Sequence, residues 1–73
     1  MEVKLETFSL RLKALRKEKK VKQAEMAVYL GCTDRHYQKI EYGQVNVPAT
    51  TLIALAKYFR VSTDYLLGLR DDR

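Results

Sequence analysis

The 73-residue sequence has one cysteine, one histidine and no tryptophan. A single cysteine, Cys32, excludes an internal disulfide. Cys32 and His36 offer two soft ligands, whereas structural zinc usually requires four, so we expect neither a metal nor another cofactor. We interpret Cys32 as a small buried thiol and His36 as an exposed imidazole with a minor role.

Long hydrophobic runs are also missing. No segment approaches the roughly 18 unbroken apolar residues of a membrane span, and Met1–Lys4 is not followed by the apolar region of a secretory signal. These features predict a cytoplasmic protein without a membrane partner. There is likewise no pair of carboxylates, no nucleophile beside a base and no glycine-rich phosphate loop, so we do not expect an enzyme.

Positive charge is in excess, with 14 Lys and Arg against nine Asp and Glu, a net charge of +5. Six of these cations fall within ten residues and are opposed only by Glu18: Lys13, Arg16, Lys17, Lys19, Lys20 and Lys22. Such a cluster is usually a solvated surface, but it is also what a polyanion-binding protein requires.

Apolar residues recur at helical spacing in five segments, at about residues 7–19, 23–30, 33–42, 49–59 and 62–67. The expected N-caps are Thr7, Thr33 and Ser62, and the expected stops are three glycines, Gly31, Gly43 and Gly68. The fold class is therefore all-α: a compact five-helix bundle forming one domain over residues 1–73, with its core in residues 7–68. The fourth helix has the widest apolar surface and is expected to be central.

The second and third helices are separated only by residues 31–33, a turn too short for antiparallel packing, so the two helices should cross steeply. Close crossing favours small residues, and Ala27 and Gly31 meet that demand. The stretch QAEMAVYLGCTDRHYQKIEYG, residues 23–43, resembles the helix-turn-helix of phage repressor and Cro-like (Xre-type) regulators. In such motifs Gln, Ala and Gly stand first, fifth and ninth, with apolar residues at five set positions, here occupied by Met26, Leu30, Cys32, Tyr37 and Ile40.

The resemblance covers about residues 8–68 and implies a lambda-repressor-like DNA-binding domain. It also implies a transcriptional regulator, which we expect to be a repressor that binds a palindromic operator on double-stranded DNA as a homodimer. Tyr37 replaces the usual Ile or Val, which implies a larger core pocket or a hydroxyl that reaches its rim.

A helical wheel of residues 33–42 separates two faces. Thr33, Tyr37, Ile40 and Glu41 point inward, whereas Arg35, Gln38, Lys39 and Tyr42 point outward. In the major groove Arg35 suits guanine and Gln38 suits adenine. Lys39 could take guanine or a phosphate, and Asp34 should either accept from a cytosine amino group or be turned aside by Arg35. The predicted base-reading residues are Asp34, Arg35, Gln38 and Lys39.

Phosphate contacts fix the orientation of such a helix without reading sequence. The resemblance assigns this role to Gln23, and the backbone amides of Gly43 and Gln44 are candidates on the far side. The predicted phosphate-binding residues are Lys20, Lys22, Gln23, Thr33, Tyr42 and Gln44. Glu41 faces inward and needs a partner; the resemblance implies an ion pair with Arg16.

The C-terminal segment has more apolar side chains than so small a core can cover, which predicts a homodimer surface. Its predicted members are Tyr58, Val61, Tyr65, Leu66 and Leu69. The alternative function is a helical protein-interaction module, such as the antitoxin of a toxin–antitoxin pair or a coactivator, in which a protein partner replaces DNA.

Overall fold

The computed structural model describes residues 5–73 and contains five α-helices and no strand within them. The helices are α1 (Glu6–Lys19), α2 (Gln23–Leu30), α3 (Asp34–Glu41), α4 (Ala49–Phe59) and α5 (Thr63–Leu67). The all-α prediction is confirmed. Met1–Lys4, from which the lack of a secretory signal was argued, lie outside the described residues. None of the described helices is long and apolar enough to cross a membrane.

Most of the side-chain caps and glycine stops lie where the sequence predicts them. Thr33 accepts a hydrogen bond from the His36 amide at 3.1 Å, and Ser62 accepts one from the Tyr65 amide at 3.0 Å. Gly31, Gly43 and Gly68 all have positive φ. The predicted Thr7 cap is wrong, because α1 begins one residue before Thr7 and Leu5 occupies the N-cap position.

Thr7 instead lies against Gly68, where a Cβ atom would come within 2.9 Å of the Thr7 Cγ2 atom. A side chain at residue 68 would therefore require the exposed Thr7 side chain to shift. Gly68 has a φ of +81°, a backbone conformation that favours glycine.

The core is centred on α1 rather than on α4. Phe8, Leu12 and Leu15 of α1 are buried, and this helix packs against both α3 and α5. In α4 Leu55 and Ala56 are buried, but Ile53 is exposed. The prediction of a central α4 is wrong because the apolar stripe of α4 is wider than the surface that its neighbours cover.

Two helices end on a non-glycine residue in the left-handed conformation, and Arg60 after α4 (φ 55°) is one of them. A left-handed L-residue costs roughly 1–2 kcal/mol, which glycine avoids at the cost of more chain entropy. We expect Arg60→Gly to raise the free energy of unfolding by about 0.5–1 kcal/mol, measured by urea denaturation. Lys57→Gly, inside the same helix, is the matched control and should lower stability by about 1 kcal/mol. A loss of stability in Arg60→Gly would contradict this explanation.

Candidate DNA-binding surface

The candidate DNA-binding surface lies on α3, which has one buried face and one exposed face. Tyr37, Ile40 and Glu41 are buried, with Tyr37 and Glu41 at 0% exposure. Arg35 and Lys39 are exposed. Since the helix is anchored through one face only, its basic side chains remain free to meet a partner.

The predicted base-reading residues lie together on the exposed side of α3, although one of them is less exposed than the others. Asp34, Arg35 and Lys39 are exposed, whereas Gln38 is half-buried. His36 is also exposed. Thr33, placed inward on the wheel, is exposed because it precedes the helix and turns its hydroxyl back to cap the first turn.

Glu41 is the centre of a buried hydrogen-bond network that ties three helices together. Arg16 in α1 donates from Nε to Glu41 Oε1 at 2.6 Å and from Nη2 to Oε2 at 3.4 Å. Gln23 in α2 donates from Nε2 to Oε2 at 2.7 Å, and the Tyr37 hydroxyl donates to Oε1 at 2.9 Å. Both carboxylate oxygens are therefore satisfied, as a buried charge requires.

This network shifts the ionisation of its members. Burial by itself would raise the pKa of Glu41, but hydrogen bonds from Arg16, Gln23 and Tyr37 outweigh it and leave the pKa below 4.5. The hydrogen bond to Glu41 raises the pKa of Arg16. Burial, followed by the Glu41 charge, raises the pKa of Tyr37. Near neutral pH the carboxylate is thus charged and the phenol is protonated.

A folded-state pKa below the unfolded value means that Glu41 stabilises the fold above about pH 4.5 and loses this contribution as pH falls through the folded pKa. We expect stability to fall on acidification below about pH 4.5, measured by urea denaturation at stepped pH. Glu41→Gln should flatten this dependence. Glu25→Gln, an exposed carboxylate in the first turn of α2, is the control and should leave the dependence largely intact.

Besides the Gln23 contact, sequence analysis did not identify two further contacts to Glu41. The Tyr37 hydroxyl is one, and the i, i+4 spacing of Tyr37 and Glu41 was the available signal. The other is Ser9 in α1, whose hydroxyl donates to the Glu41 main-chain oxygen at 2.6 Å. Nothing in the local sequence marks Ser9, because its partner is 32 residues away.

The predicted phosphate-binding residues fall into two groups. Lys20, Lys22, Thr33, Tyr42 and Gln44 are all exposed. The Gln23 amide is directed at Glu41, and it also lies 3.5 Å from the Tyr42 hydroxyl. The side chain of Gln23 is therefore mainly an internal donor that holds the start of α2 against the end of α3.

The backbone amides of Gly43 and Gln44 are not free to bind a phosphate, because both donate hydrogen bonds within the chain. The Gly43 amide donates to the Ile40 carbonyl at 3.1 Å, and the Gln44 amide donates to the Lys39 carbonyl at 2.9 Å. Both bonds close the C-terminal end of α3. The prediction that these amides grip a phosphate is therefore wrong, because the helix end consumes them.

The predicted dimer surface is also corrected. Leu66 has 0% exposure and Val61 9%, so both belong to the core of one chain. Tyr65 is half-buried beneath the Arg11 guanidinium, which lies 4.2 Å from its ring centroid, and Tyr58 is half-buried against Tyr29. These residues were assigned to the surface because a helical pattern does not reveal which of its apolar residues other segments cover. Leu69, at 71% exposure, remains open.

Two helices joined by the three-residue turn 31–33, the second with one face buried and with Arg35 and Lys39 exposed, have the arrangement of a helix-turn-helix protein. The chain belongs to the family described as Helix-turn-helix, of the Xre/Cro/C1 type, whose pattern matches residues 12–66. The matched part of the chain is accordingly a helix-turn-helix domain of this DNA-binding family.

Curated relatives come from Bacillus subtilis (strain 168). The chain is 37% identical over 65 residues to YobD, an uncharacterized HTH-type transcriptional regulator, covering 89% of this chain and 58% of YobD. It is 42% identical over 60 residues to YonR, an SPbeta prophage-derived uncharacterized HTH-type transcriptional regulator, covering 82% and 56%. The chain thus spans little more than half the length of these relatives.

Two solved structures share the fold. The restriction-modification controller protein C.AhdI from Aeromonas hydrophila has a TM-score of 0.71 and 28% identity, covering 82% of this chain and 91% of that one. The P22 c2 repressor, crystallised with synthetic operator 9T, has a TM-score of 0.73 and 29% identity, covering 81% and 89%. The lambda-repressor-like fold predicted from the sequence is confirmed.

Proposed function

We propose that the chain is a transcriptional repressor that inserts α3 into the major groove of a palindromic operator, as a homodimer in the cytoplasm. The observation that carries this proposal is the division of α3 into a fully buried face and an exposed face with Arg35 and Lys39. The P22 c2 repressor, which has the same fold, was crystallised with an operator.

Within this proposal Arg35 and Lys39 read guanine, Gln38 reads adenine, and Asp34 accepts from a cytosine amino group. Gln38 is half-buried, so its amide reaches the groove from the edge of the exposed face. Lys20, Lys22, Thr33, Tyr42 and Gln44 lie outside the core and supply phosphate contacts. Gln23 contributes chiefly by fixing α2 against α3, since its amide already donates to Glu41.

One domain of this size covers little DNA, so two copies are needed for high affinity. We place the dimer contact at the exposed end of the C-terminal segment, where Leu67 and Leu69 are 40% and 71% exposed. Two-fold symmetry then requires half-sites whose centres are about one helical turn apart.

Selection of bound duplexes from a random pool tests the proposal directly. The expected result is a consensus with inverted symmetry, bound by two chains in sedimentation experiments. An asymmetric consensus with one chain per duplex would remove the dimer, and no enrichment at all would remove sequence-specific binding. Leu69→Glu should weaken assembly on the duplex while leaving the fold intact, since this side chain is largely outside the core.

A further inference from the structure

One face of α1 lies against the C-terminal end of α3. The Ser9 hydroxyl donates to the Glu41 main-chain oxygen at 2.6 Å, and the Arg16 guanidinium donates to the Glu41 carboxylate at 2.6 Å. Ser9 and Arg16 are seven residues apart, which is two helical turns, so both contacts are made along a single ridge of α1.

Lys13 lies on that same ridge between the two contacts. It follows Ser9 by four residues and precedes Arg16 by three, and both spacings place side chains on one helix face. Unlike its two neighbours on the ridge, Lys13 is exposed. It forms no ion pair within residues 5–73. Its ammonium group is therefore a free charge at the solvent edge of the α1–α3 contact.

Other exposed cations border the same junction from the α2 side. Arg16 donates to the Val21 carbonyl at 2.9 Å, which fixes the Lys20–Lys22 connection beside the ion pair. Lys20 and Lys22 themselves are exposed. Tyr42, half-exposed, lies 3.5 Å from the Gln23 amide nitrogen. The Arg16–Val21 contact thus joins α1 to the connection that carries Lys20 and Lys22.

We propose that Lys13 is a further phosphate-contacting residue, so that the DNA footprint continues from α2 and α3 onto α1. This inference rests on the proposed DNA-binding function. A lysine ammonium is a compact charge on a flexible stem, which suits a phosphate and not the fixed geometry of a base edge. Lys13 therefore contributes affinity that is independent of sequence.

The test compares Lys13→Gln with Lys57→Gln, which removes an exposed cation from the last turn of α4 and gives the same net charge. Binding to a selected and to a random duplex is measured over a range of salt concentrations. For Lys13→Gln we expect the slope of log K against log salt to shrink by about 0.9, the value for one neutralised phosphate. Affinity for both duplexes should fall by the same factor. Lys13→Arg should restore it, and Lys57→Gln should leave the slope near that of the wild type.

Three other outcomes would each contradict the phosphate role of Lys13. If Lys13→Gln and Lys57→Gln behave alike while the wild type binds DNA, Lys13 touches no phosphate and only this inference fails. If Lys13→Gln reduces preference for the selected duplex alone, it reads sequence and the phosphate role is wrong. If the wild type binds neither duplex, the proposed function fails and this inference fails with it. Thermal unfolding should be unchanged in both variants, because both lysines are exposed.

Discussion

Replacing Arg16 with alanine should lower the free energy of unfolding by about 3 kcal/mol, because it leaves the Glu41 carboxylate buried without its charged partner. Glu41 has 0% side-chain exposure and Arg16 has 13%. Gln23 and Tyr37 would still donate to the carboxylate, so the effect lies at the lower end of the range for broken buried pairs. Urea denaturation of the wild type and the variant measures the difference.

A double variant separates loss of the charge pair from loss of packing. Arg16→Met combined with Glu41→Leu removes both charges but leaves the Tyr37 hydroxyl and the Gln23 amide without their acceptor, so we expect it to recover only part of the stability lost in Arg16→Ala. Lys17→Ala, on the exposed side of the same helix, should change stability little. Wild-type stability in Arg16→Ala would show that the pair does not hold the fold together.

Alanine at Arg35 should abolish much of the preference for a selected operator over random DNA. A bidentate contact to a base contributes about 1–3 kcal/mol of discrimination, which corresponds to roughly a 5- to 150-fold loss. Gln38→Ala should act in the same direction. Competition binding with selected and random duplexes measures the ratio, and thermal unfolding verifies that the exposed change leaves the fold intact.

Lys22→Ala is the contrasting variant, because a phosphate contact carries no sequence information. It should weaken binding to both duplexes alike and reduce the salt slope by about 0.9. If Arg35→Ala instead lowers both affinities equally, α3 supplies charge and reads no bases. Unchanged affinity for both duplexes in Arg35→Ala would instead favour the alternative in which the exposed face meets a protein partner.

Local chemistry made the helices predictable. Glycine at positive φ stops three of them, and hydroxyl caps at Thr33 and Ser62 start two, so these boundaries follow from neighbouring residues. Thr7 shows the limit of this reasoning. A threonine at the start of a helix can cap it or lie within its first turn, and the choice here follows from packing against Gly68.

Long-range contacts made other features unpredictable. The burial of Leu66 depends on how the neighbouring helices cover α5, and no periodicity within α5 contains that information. From the sequence, the side-chain amide of Gln23 was predicted to bind a phosphate. In the fold it donates to the Glu41 carboxylate, 18 residues away. The Ser9 hydroxyl likewise donates to the main-chain oxygen of Glu41, 32 residues away.

By itself, the sequence determined five helices, the tight turn between α2 and α3, and the outward placement of Arg35 and Lys39. All three follow from spacing within one segment. Only the tertiary structure decided that Glu41 takes donors from α1, α2 and α3, that the Gly43 and Gln44 amides close a helix, and that α1 is the centre of the core. A buried charge is satisfied by whichever donors the packing brings near, and that set is fixed by contacts between distant segments rather than by neighbours along the chain.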